Sequence, residues 1–397
     1  MKRKWVVAII GLALGVVVGV ASLYSMSKLP FRPEFGGYRL MGIHKPEIVG
    51  FLPYWLLGKT DTSYPQLTTL TYFGLQLNTD GTIKKLANPK EEEPGWTALR
   101  GEVWETKAAA AKKLGQKLSL LVQMSGESKI QSLIADPVQN GQNLAAAVAP
   151  LMQQNGFTDL NIDIESFSEA TPAARAQFTT LVETVAKQIH EQKLGTVTID
   201  MSPSAIVKLF MYDPAAIAQA VDTVILMTYD YHYAGSYVTG AVAPVAGAGI
   251  ESEFDVATGV AEALKVIPKE KLVLGIPLYG YTWETLTPNP KSPVVPGSGF
   301  ATSYRTVAEL LKDCPDCQTG VDARAEEPYL THPSTDMGIT KQVFYVDRAS
   351  TARKVAIAKE KHLAGVAMWA LGYEADDLLA PISEYGQFFW WEPALLK

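Results

Sequence analysis

The sequence predicts an α/β fold, a closed (β/α)8 or TIM barrel of parallel strands, and three observations support this prediction. Strand-like apolar segments alternate with helix-like segments from residue 47 to residue 370. Eight strand-like segments belong to this pattern, the number that closes such a barrel. No Gly-rich GxGxxG turn follows the first strand, which disfavours the alternative fold, an open doubly wound sheet.

A basic and then apolar segment opens the chain. Three basic residues at positions 2–4 precede an almost wholly apolar run over residues 5–24. A run of about 20 apolar residues can cross a bilayer as a helix, and positive charge before it places that end in the cytoplasm. We expect a transmembrane signal anchor over residues 1–25, or a long signal peptide, and then a linker over 26–45. Both alternatives place the rest of the chain outside the cytoplasm.

The expected strands are short and rich in apolar residues, as buried strands are. In chain order they cover residues 48–52, 67–77, 118–123, 157–165, 196–201, 223–229, 272–276 and 365–370. The helices expected between them cover residues 106–114, 143–154, 171–192, 256–266 and 352–362. In the third helix Pro172 suits the first turn, and apolar residues such as Phe178 and Val182 recur at helical spacing.

The alternating pattern stops between the seventh and eighth strands for about 70 residues, far longer than an ordinary connection. Strand-like pieces such as residues 342–346 predict a small α+β insertion there, over approximately residues 282–346. We therefore expect one domain over residues 46–385, interrupted by this insertion, and a C-terminal tail over residues 386–397.

The charge and cysteine content limit the possible partners. The net charge is −6 and no basic block is present, which argues against nucleic acid as a partner. Cys314 and Cys317 form a lone C-x-x-C pair, without a second Cys or His pair at zinc spacing. We expect a local disulfide, as suits an exported protein, with two free thiols or half a zinc site as alternatives. We also expect a monomer with no cofactor and no metal.

Residues 157–165 carry the clearest chemical signal. From residue 160 onward polar and apolar residues alternate, so a strand sends Asn161, Asp163 and Glu165 to one face. Two carboxylates and an amide on a buried face are costly unless they are paired or functional. A half-exposed antiparallel strand also alternates and is the structural alternative.

The carboxyl ends of the other strands add acids and aromatic rings. In a barrel these ends meet at one face, where the chemistry of such folds takes place. The side chains there are Tyr54, Trp55, Gln123, Met124, Asp163, Glu165, Asp200, Met201, Met227, Tyr229, Asp230, Tyr279, Tyr281 and Trp369. Acids among rings suit a site that cleaves sugars, because acids transfer protons and rings stack on pyranose faces. Spacing alone leaves the mechanism open, since Cα atoms about 7 Å apart on a strand fit more than one glycosidase geometry.

Four motifs in one order resemble glycoside hydrolase family 18. Residues 157–165 resemble the family signature D-G-x-D-x-D-x-E, and residues 227–230 resemble its M-x-Y-D motif. Residues 275–280 resemble its G-x-P-x-Y-G segment, and residues 365–369 resemble its eighth strand, which ends in tryptophan. The opening strand, residues 49–55, is most similar to bacterial spore- and cell-wall-type members. The resemblance covers nearly all of the predicted barrel and implies the same fold.

The chain departs from the family pattern in two places. Thr158, Asp159 and Asn161 stand where the signature has Asp, Gly and its middle Asp. The third strand ends in Gln-Met-Ser-Gly at residues 123–126 rather than in S-x-G-G. We expect Asn161 to affect the rate and the pH optimum, because a buried charge that would help to cycle the proton of Asp163 is missing.

The resemblance implies substrate-assisted cleavage of glycans that contain β-linked N-acetylglucosamine. Glu165 is expected to protonate the leaving oxygen and then to activate water, while the substrate's own acetamido oxygen attacks the anomeric carbon. Asp163 is expected to hold the acetamido N–H, and Tyr229 to donate a hydrogen bond to the acetamido carbonyl. The expected substrate-binding residues are Asp230, Trp369, Asn161, Tyr54, Tyr279 and Met227.

Two other functions stay open at this point. A sugar-binding protein without turnover would share the barrel, although the presence of Glu165 argues against it. A metal-dependent barrel hydrolase or lyase would need oxygen ligands, but no His pair or Lys base stands at the strand ends to support it. Its ligands would be Asp163, Glu165, Asp200 and Asp230. The sequence does not determine whether the polymer is peptidoglycan, chitin or another glycan, or whether cleavage is endo or exo.

Overall fold

The structure, a computed structural model, describes residues 43–61, 63–250, 252–333, 338–375 and 377–391. The expected anchor over residues 1–25 lies outside these residues, as do most of the expected linker and residues 392–397 of the expected tail. Within the described part of the chain, no helix is both long and apolar enough to cross a membrane.

Parallel strands form the centre of the molecule. The strands in the described residues are β1 (Ile43–His44), β2 (Glu47–Pro53), β3 (Thr69–Gln76), β4 (Leu86–Asn88), β5 (Glu91–Glu92), β6 (Lys117–Ser125), β7 (Asp159–Glu165), β8 (Thr196–Met201), β9 (Thr223–Leu226), β10 (Leu272–Pro277), β11 (Tyr279–Thr285), β12 (Phe300–Ser303), β13 (Gln318–Asp322), β14 (Glu327–Pro333), β15 (Thr340–Phe344), β16 (Gly365–Trp369) and β17 (Trp390–Trp391). Eight of these close into a barrel in the order β10-β16-β2-β3-β6-β7-β8-β9, each parallel to its neighbours. The predicted closed parallel barrel is therefore confirmed.

Helices connect most of the successive barrel strands. They are α1 (Pro94–Leu99), α2 (Glu102–Lys113), α3 (Glu127–Ile134), α4 (Pro137–Asn155), α5 (Pro172–Glu191), α6 (Ser204–Val207), α7 (Pro214–Ala220), α8 (Val256–Ala263), α9 (Tyr304–Asp313), α10 (Arg348–Glu360) and α11 (Ala380–Tyr385). A 3-10 helix, Tyr54–Lys59, follows β2 directly. Each of these helices that lies between two barrel strands supplies the crossover that parallel neighbours require.

Capping side chains set where several helices begin. Thr171 accepts a hydrogen bond from the Ala174 N–H at 3.2 Å, so α5 starts at the predicted proline. Helix α10 starts earlier than predicted, because Asp347 and Ser350 form a reciprocal capping box. Its N-cap accepts from the Ser350 N–H at 2.8 Å, which ends the preceding extended segment.

Apolar side chains fill both the barrel interior and the layer between strands and helices. The interior cluster consists of Val49, Phe51, Phe73, Leu121, Ile225, Val273 and Ala367. These positions alternate with outward residues such as Ile48 and Leu120, which pack in the outer core, as the period of a strand requires. On β7 the inward positions are polar instead, so the barrel interior is polar rather than apolar at this strand.

The sixth barrel strand is shorter than predicted, and this is a correction to the expected boundary. It ends at Leu226 rather than at Tyr229. The Thr228 N–H turns back to the Leu226 carbonyl at 2.9 Å, and the Thr228 hydroxyl donates to the Gly275 carbonyl at 2.6 Å. Asp230 then takes a left-handed backbone conformation with φ 61°. The M-x-Y-D motif is therefore a tight turn above the barrel rather than the end of a strand.

A second sheet lies between the seventh and eighth barrel strands, in the region where the sequence predicts an insertion. It is five-stranded and antiparallel, in the order β12-β11-β15-β14-β13, and α9 connects β12 to β13. Cys314 and Cys317 form a disulfide bond just after α9.

A buried ion pair ties this sheet to the barrel. Lys354 Nζ of α10 lies 2.7 Å from Glu327 Oε1 of β14, and both side chains are fully buried. The Glu327 carboxylate also accepts from the Ala243 N–H, at 3.1 and 3.2 Å to its two oxygens. The loop after β9, the insertion sheet and helix α10 thus meet at this buried ion pair.

Candidate active site

Strand β7 directs an amide and two acids into the barrel. Asn161 and Asp163 are buried, with 1% and 6% of their surfaces exposed, and Glu165 at the carboxyl end is partly exposed. The Asn161 Nδ2 donates to Asp200 Oδ1 of the neighbouring β8 at 3.2 Å, which places these side chains on the same interior face. The polar face of the sequence pattern is therefore the inner face of the barrel.

Burial and neighbouring negative charges raise the pKa values of the two β7 acids. Burial raises the pKa of Asp163 well above its ordinary value, and the negative charge of Glu165 raises it further. Burial also raises the pKa of Glu165, and the charge of Asp230 adds to the effect. A carboxyl group that holds its proton in this way suits a general acid.

Two side chains form hydrogen bonds with the residues on either side of Glu165. The Tyr212 hydroxyl donates to the Ile164 carbonyl. The Ser166 hydroxyl donates to Glu127 Oε2 at 2.8 Å, and the Phe167 N–H donates to the other Glu127 oxygen at 3.2 Å. Neither Tyr212 nor Glu127 was among the predicted site residues. For Glu127 the available signal was an acid just beyond the end of a barrel strand.

Asp230 faces the cleft from the turn after β9. The hydroxyls of Tyr279 and Tyr281 both donate to its Oδ1, the second at 2.9 Å. The residue as a whole is exposed at the mouth of the cleft, whereas protein surrounds most of its carboxylate. Burial raises the pKa of Asp230, and the two phenol donors lower it in part. Tyr281 was not among the predicted binding residues, although it stands at a strand end.

Tyr229 lies among the acids of the site. Burial raises its pKa well above the ordinary value, and the charges of four carboxyl groups raise it further, so it remains a neutral hydrogen-bond donor. The four are Asp200, Asp163, Glu165 and Asp230. The ring packs closely over Gly275, where a Cβ atom would stand 3.0 Å from Tyr229 Cε1. The glycine of the predicted G-x-P-x-Y-G segment thus leaves room for the tyrosine.

The remaining predicted residues line the same end of the barrel. The Trp369 ring lies 4.6 Å from Phe73 and 6.4 Å from Trp55, measured between centroids, and forms an aromatic floor. Tyr54 contacts Trp55 edge-on at 5.0 Å. Met227 is partly exposed, and its N–H donates to the Met201 carbonyl at 2.8 Å.

The contacts join the predicted residues into two groups. Asn161, Asp163, Glu165, Tyr229, Asp230 and Tyr279 interact with one another directly or through Asp200. The aromatic floor contains Trp369 and Tyr54. It lies next to the first group, because β16 pairs with β10, the strand that leads into Tyr279. A pocket of about 290 Å³ opens beside Tyr279. It is lined by Tyr279, Phe300, Ala301, Thr302, Ser303, Thr306 and Tyr373.

No group of three or more His, Cys, Asp or Glu residues in the described ranges is arranged to hold a metal ion. His232, buried in the loop after β9, directs Nδ1 to the Ala241 carbonyl at 2.9 Å.

Comparison with known proteins gives consistent matches. The chain is 28% identical over 268 residues to "Probable chitinase 2" of Drosophila melanogaster, a match that covers 64% of this chain and 54% of that protein. It is 24% identical over 325 residues to "Cortical fragment-lytic enzyme" of Bacillus anthracis, covering 80% of this chain and 67% of the relative. It is also 28% identical over 231 residues to "Putative sporulation-specific glycosylase YdhD" of Bacillus subtilis, covering 58% and 50%. The chain therefore spans about half the length of two of these relatives.

Solved structures support the fold. The Group IV chitinase of Ostrinia furnacalis in complex with allosamidin superposes with a TM-score of 0.71 at 21% identity, covering 86% of this chain and 97% of that one. The spore cortex-lytic enzyme SleL of Bacillus cereus gives 0.65 at 20% identity, covering 86% and 74%.

The family model described as "Glycosyl hydrolases family 18" matches residues 47–374, which is most of the chain. This match confirms the resemblance carried by the four motifs. The chain therefore belongs to the glycosyl hydrolases of family 18, a family of glycosidases.

Proposed function

We propose that the protein hydrolyses glycans containing β-linked N-acetylglucosamine by substrate-assisted, retaining catalysis, with Glu165 as the acid and base. The observation that carries the proposal is that Asp163 and Glu165 lie on the inward face of β7 at the mouth of the barrel, where burial raises the pKa of both carboxyl groups. This arrangement offers an acid and a second carboxyl group on one side of a bound sugar.

Glu165 has the environment of a general acid. Its raised pKa favours the protonated form, which can donate its proton to the leaving oxygen. After the leaving group departs, the resulting carboxylate becomes the base that activates water. The hydrogen bonds to Ile164, Ser166 and Phe167 support this role, because they hold the backbone around the acid in one position.

Asp163 is suited to hold the acetamido group of the substrate. Its Oδ1 is buried and accepts no hydrogen bond from any described residue. A buried acceptor without a donor is unfavourable, and the acetamido N–H would supply the missing donor. The neutral Tyr229 hydroxyl would donate to the acetamido carbonyl, so that the carbonyl oxygen is directed toward the anomeric carbon.

The other predicted residues would bind the sugar itself. Trp369 would stack on the pyranose ring as the floor of the site, with Tyr54 beside it. Asp230, held by Tyr279, would accept hydrogen bonds from sugar hydroxyls. Met227, which is partly exposed at the same end, would contribute apolar contact.

Peptidoglycan and chitin are both candidate polymers. Relatives named as chitinases and relatives named as cortex-lytic enzymes match the chain at similar levels of identity. The apolar run over residues 5–24 supports export and attachment to the outer face of the cell membrane. Separation of membranes from culture medium, followed by detection of the chain, tests this location.

The decisive experiment compares hydrolysis with binding. The full chain should release 4-nitrophenol from a chitobioside analogue, and product analysis on peptidoglycan and on chitin oligomers should identify the polymer and the cleaved bond. Binding of chitin oligomers without any product from either glycan would favour the alternative, a carbohydrate-binding protein. Loss of all activity in EDTA would favour a metal-dependent hydrolase instead.

A further inference from the structure

A third acid lies beside Asp163 inside the barrel. Asp200 of β8 is 3% exposed. The ladder between β7 and β8 ends with Ile162 opposite Ile199, so the next residues, Asp163 and Asp200, are neighbours across the two strands. Both follow their paired isoleucines directly, and both therefore point into the barrel.

Asn161 connects this acid to the site. Its Nδ2 donates to Asp200 Oδ1 at 3.2 Å, whereas its Oδ1 is buried and has no hydrogen-bond partner among the described residues. The nearby Asp163 Oδ1 is also buried and has no hydrogen-bond partner among the described residues. A buried carboxyl oxygen without a donor, next to a second buried carboxyl group, is satisfied if the two acids hold a proton between them.

Among the described residues, the charges that act most strongly on Asp200 are negative. The groups whose charges act on it are the acids Asp163, Glu165 and Asp159. The tyrosines Tyr229 and Tyr212 also lie within reach of its charge. Two full negative charges on neighbouring buried carboxyl groups would repel each other strongly, as in other carboxyl pairs that share a site.

We propose that Asp200 is the positioning residue for Asp163, and that the two carboxyl groups share one proton across strands β7 and β8. Asn161 occupies the signature position of the middle acid, and the second carboxyl group of the site comes from β8 instead. When the proton resides on Asp200, Asp163 is a carboxylate that can accept the acetamido N–H. This inference rests on the proposed function only for the role of Asp163 toward the substrate.

The first test is a substitution of Asp200. A lone buried carboxyl group ionises with more difficulty than a pair that retains one proton. We therefore expect Asp200→Asn to lower kcat about tenfold and to move the acidic limb of the kcat/KM profile about one pH unit higher. Asp159→Asn is the matched control. Asp159 is a buried acid on the same face of β7, but hydroxyl groups of Ser119, Thr196 and Thr198 satisfy it. Its substitution should change thermal stability and move the profile much less than Asp200→Asn does, because its charge acts on Asp200 less strongly than those of Asp163 and Glu165.

The second test exchanges the two positions. Asn161→Asp combined with Asp200→Asn preserves the number of carboxyl groups and the side-chain sizes, and it places the second acid on β7. We expect this double variant to recover kcat to within about threefold of the parent and to restore the acidic limb, because the shared proton depends on a second carboxyl group, not on its strand. An unmoved profile in Asp200→Asn, or no recovery in the double variant while both remain folded, would overturn the proposal.

A measurement without turnover separates this proposal from the proposed function. In the full chain with ¹³C-labelled aspartate, carboxyl signals assigned with Asp163→Asn and Asp200→Asn should show two separate ionisation steps and one retained proton at neutral pH. If both groups ionise together near the ordinary aspartate range, the shared proton does not exist. If the steps are separate but the parent releases no 4-nitrophenol, the proton pair stands and the proposed hydrolysis fails.

Discussion

Ser166 follows Glu165 directly in the chain, and its hydroxyl donates to Glu127 Oε2 at 2.8 Å. The other Glu127 oxygen accepts the Phe167 N–H, so one side chain at the start of α3 holds the turn that follows the acid. The acid is therefore oriented by a neighbouring barrel unit as well as by its own strand.

Removal of this contact should slow the reaction more than it weakens binding. We expect Glu127→Ala to lower kcat about 10- to 100-fold with little change in KM, because the loss affects the orientation of Glu165 and not the sugar contacts. Steady-state kinetics on a chromogenic chitobioside measures both constants. Glu102→Ala, an exposed acid at the start of α2, is the control and should match the parent. Equal kcat in both variants would show that the turn needs no such support.

Replacement of the acid should separate chemistry from binding. We expect Glu165→Gln to reduce kcat by about 10²–10⁴-fold, the usual contribution of a general acid or base, while the affinity for chitin oligomers stays close to that of the parent. Kinetics and isothermal titration calorimetry on the same preparation provide the two values. Turnover near the parent level would require another residue as the acid.

The effect of replacing Asp163 on kcat should depend on the acetamido group of the substrate. We expect Asp163→Asn to reduce kcat strongly on N-acetylglucosaminides, because the amide lacks the charge that stabilises the intermediate. The parent should hydrolyse the matched glucosides poorly, since these lack the acetamido group that attacks the anomeric carbon. Comparable parent rates on the two substrate series would contradict the substrate-assisted mechanism.

The charge of Asp230 should contribute to the position of the alkaline limb of the activity profile. Burial is the larger cause of the raised pKa of Glu165, and the negative charge of Asp230 is the second. Asp230→Asn removes this charge, so the pKa of Glu165 falls and its proton is lost at lower pH. We expect the alkaline limb of kcat to move about half a unit to one unit lower. Glu169→Gln, an exposed acid in the loop after β7, should leave the limb in place because solvent screens its charge. A shift to higher pH in Asp230→Asn would refute this assignment.

The buried pair between the insertion sheet and the barrel should be critical for stability. Lys354→Met leaves Glu327 as an unpaired charge in a fully buried position. We expect a loss of about 3–5 kcal/mol in the free energy of unfolding, measured by urea denaturation. The double variant Lys354→Met with Glu327→Gln should recover part of this loss, because no buried charge remains and the amide can still accept the Ala243 N–H. A loss below about 1 kcal/mol in the single variant would mean that the charge is solvated in the folded protein.

Local patterns account for what could be predicted about the site. The inward face of β7 is a consequence of strand periodicity, and the approach of Tyr229 to the acids follows from the meeting of strand ends in a barrel. The end of β9 was mispredicted, because the hydroxyl of Thr228 bonds to the Gly275 carbonyl on the next strand and turns the chain. A hydrogen bond to a distant part of the chain leaves no recognisable pattern in the sequence around Thr228.

The sequence by itself determined the alternation of strands and helices, the polar face of β7 and the family to which the chain belongs. These properties depend on residues a few positions apart, whose directions are set by the backbone. Only the tertiary structure decided that Glu127 and Tyr212 hold Glu165 in place and that Asp200 lies against Asn161. These partners are roughly 40 to 50 residues apart in sequence, and the closure of the barrel and the register between its strands bring them together.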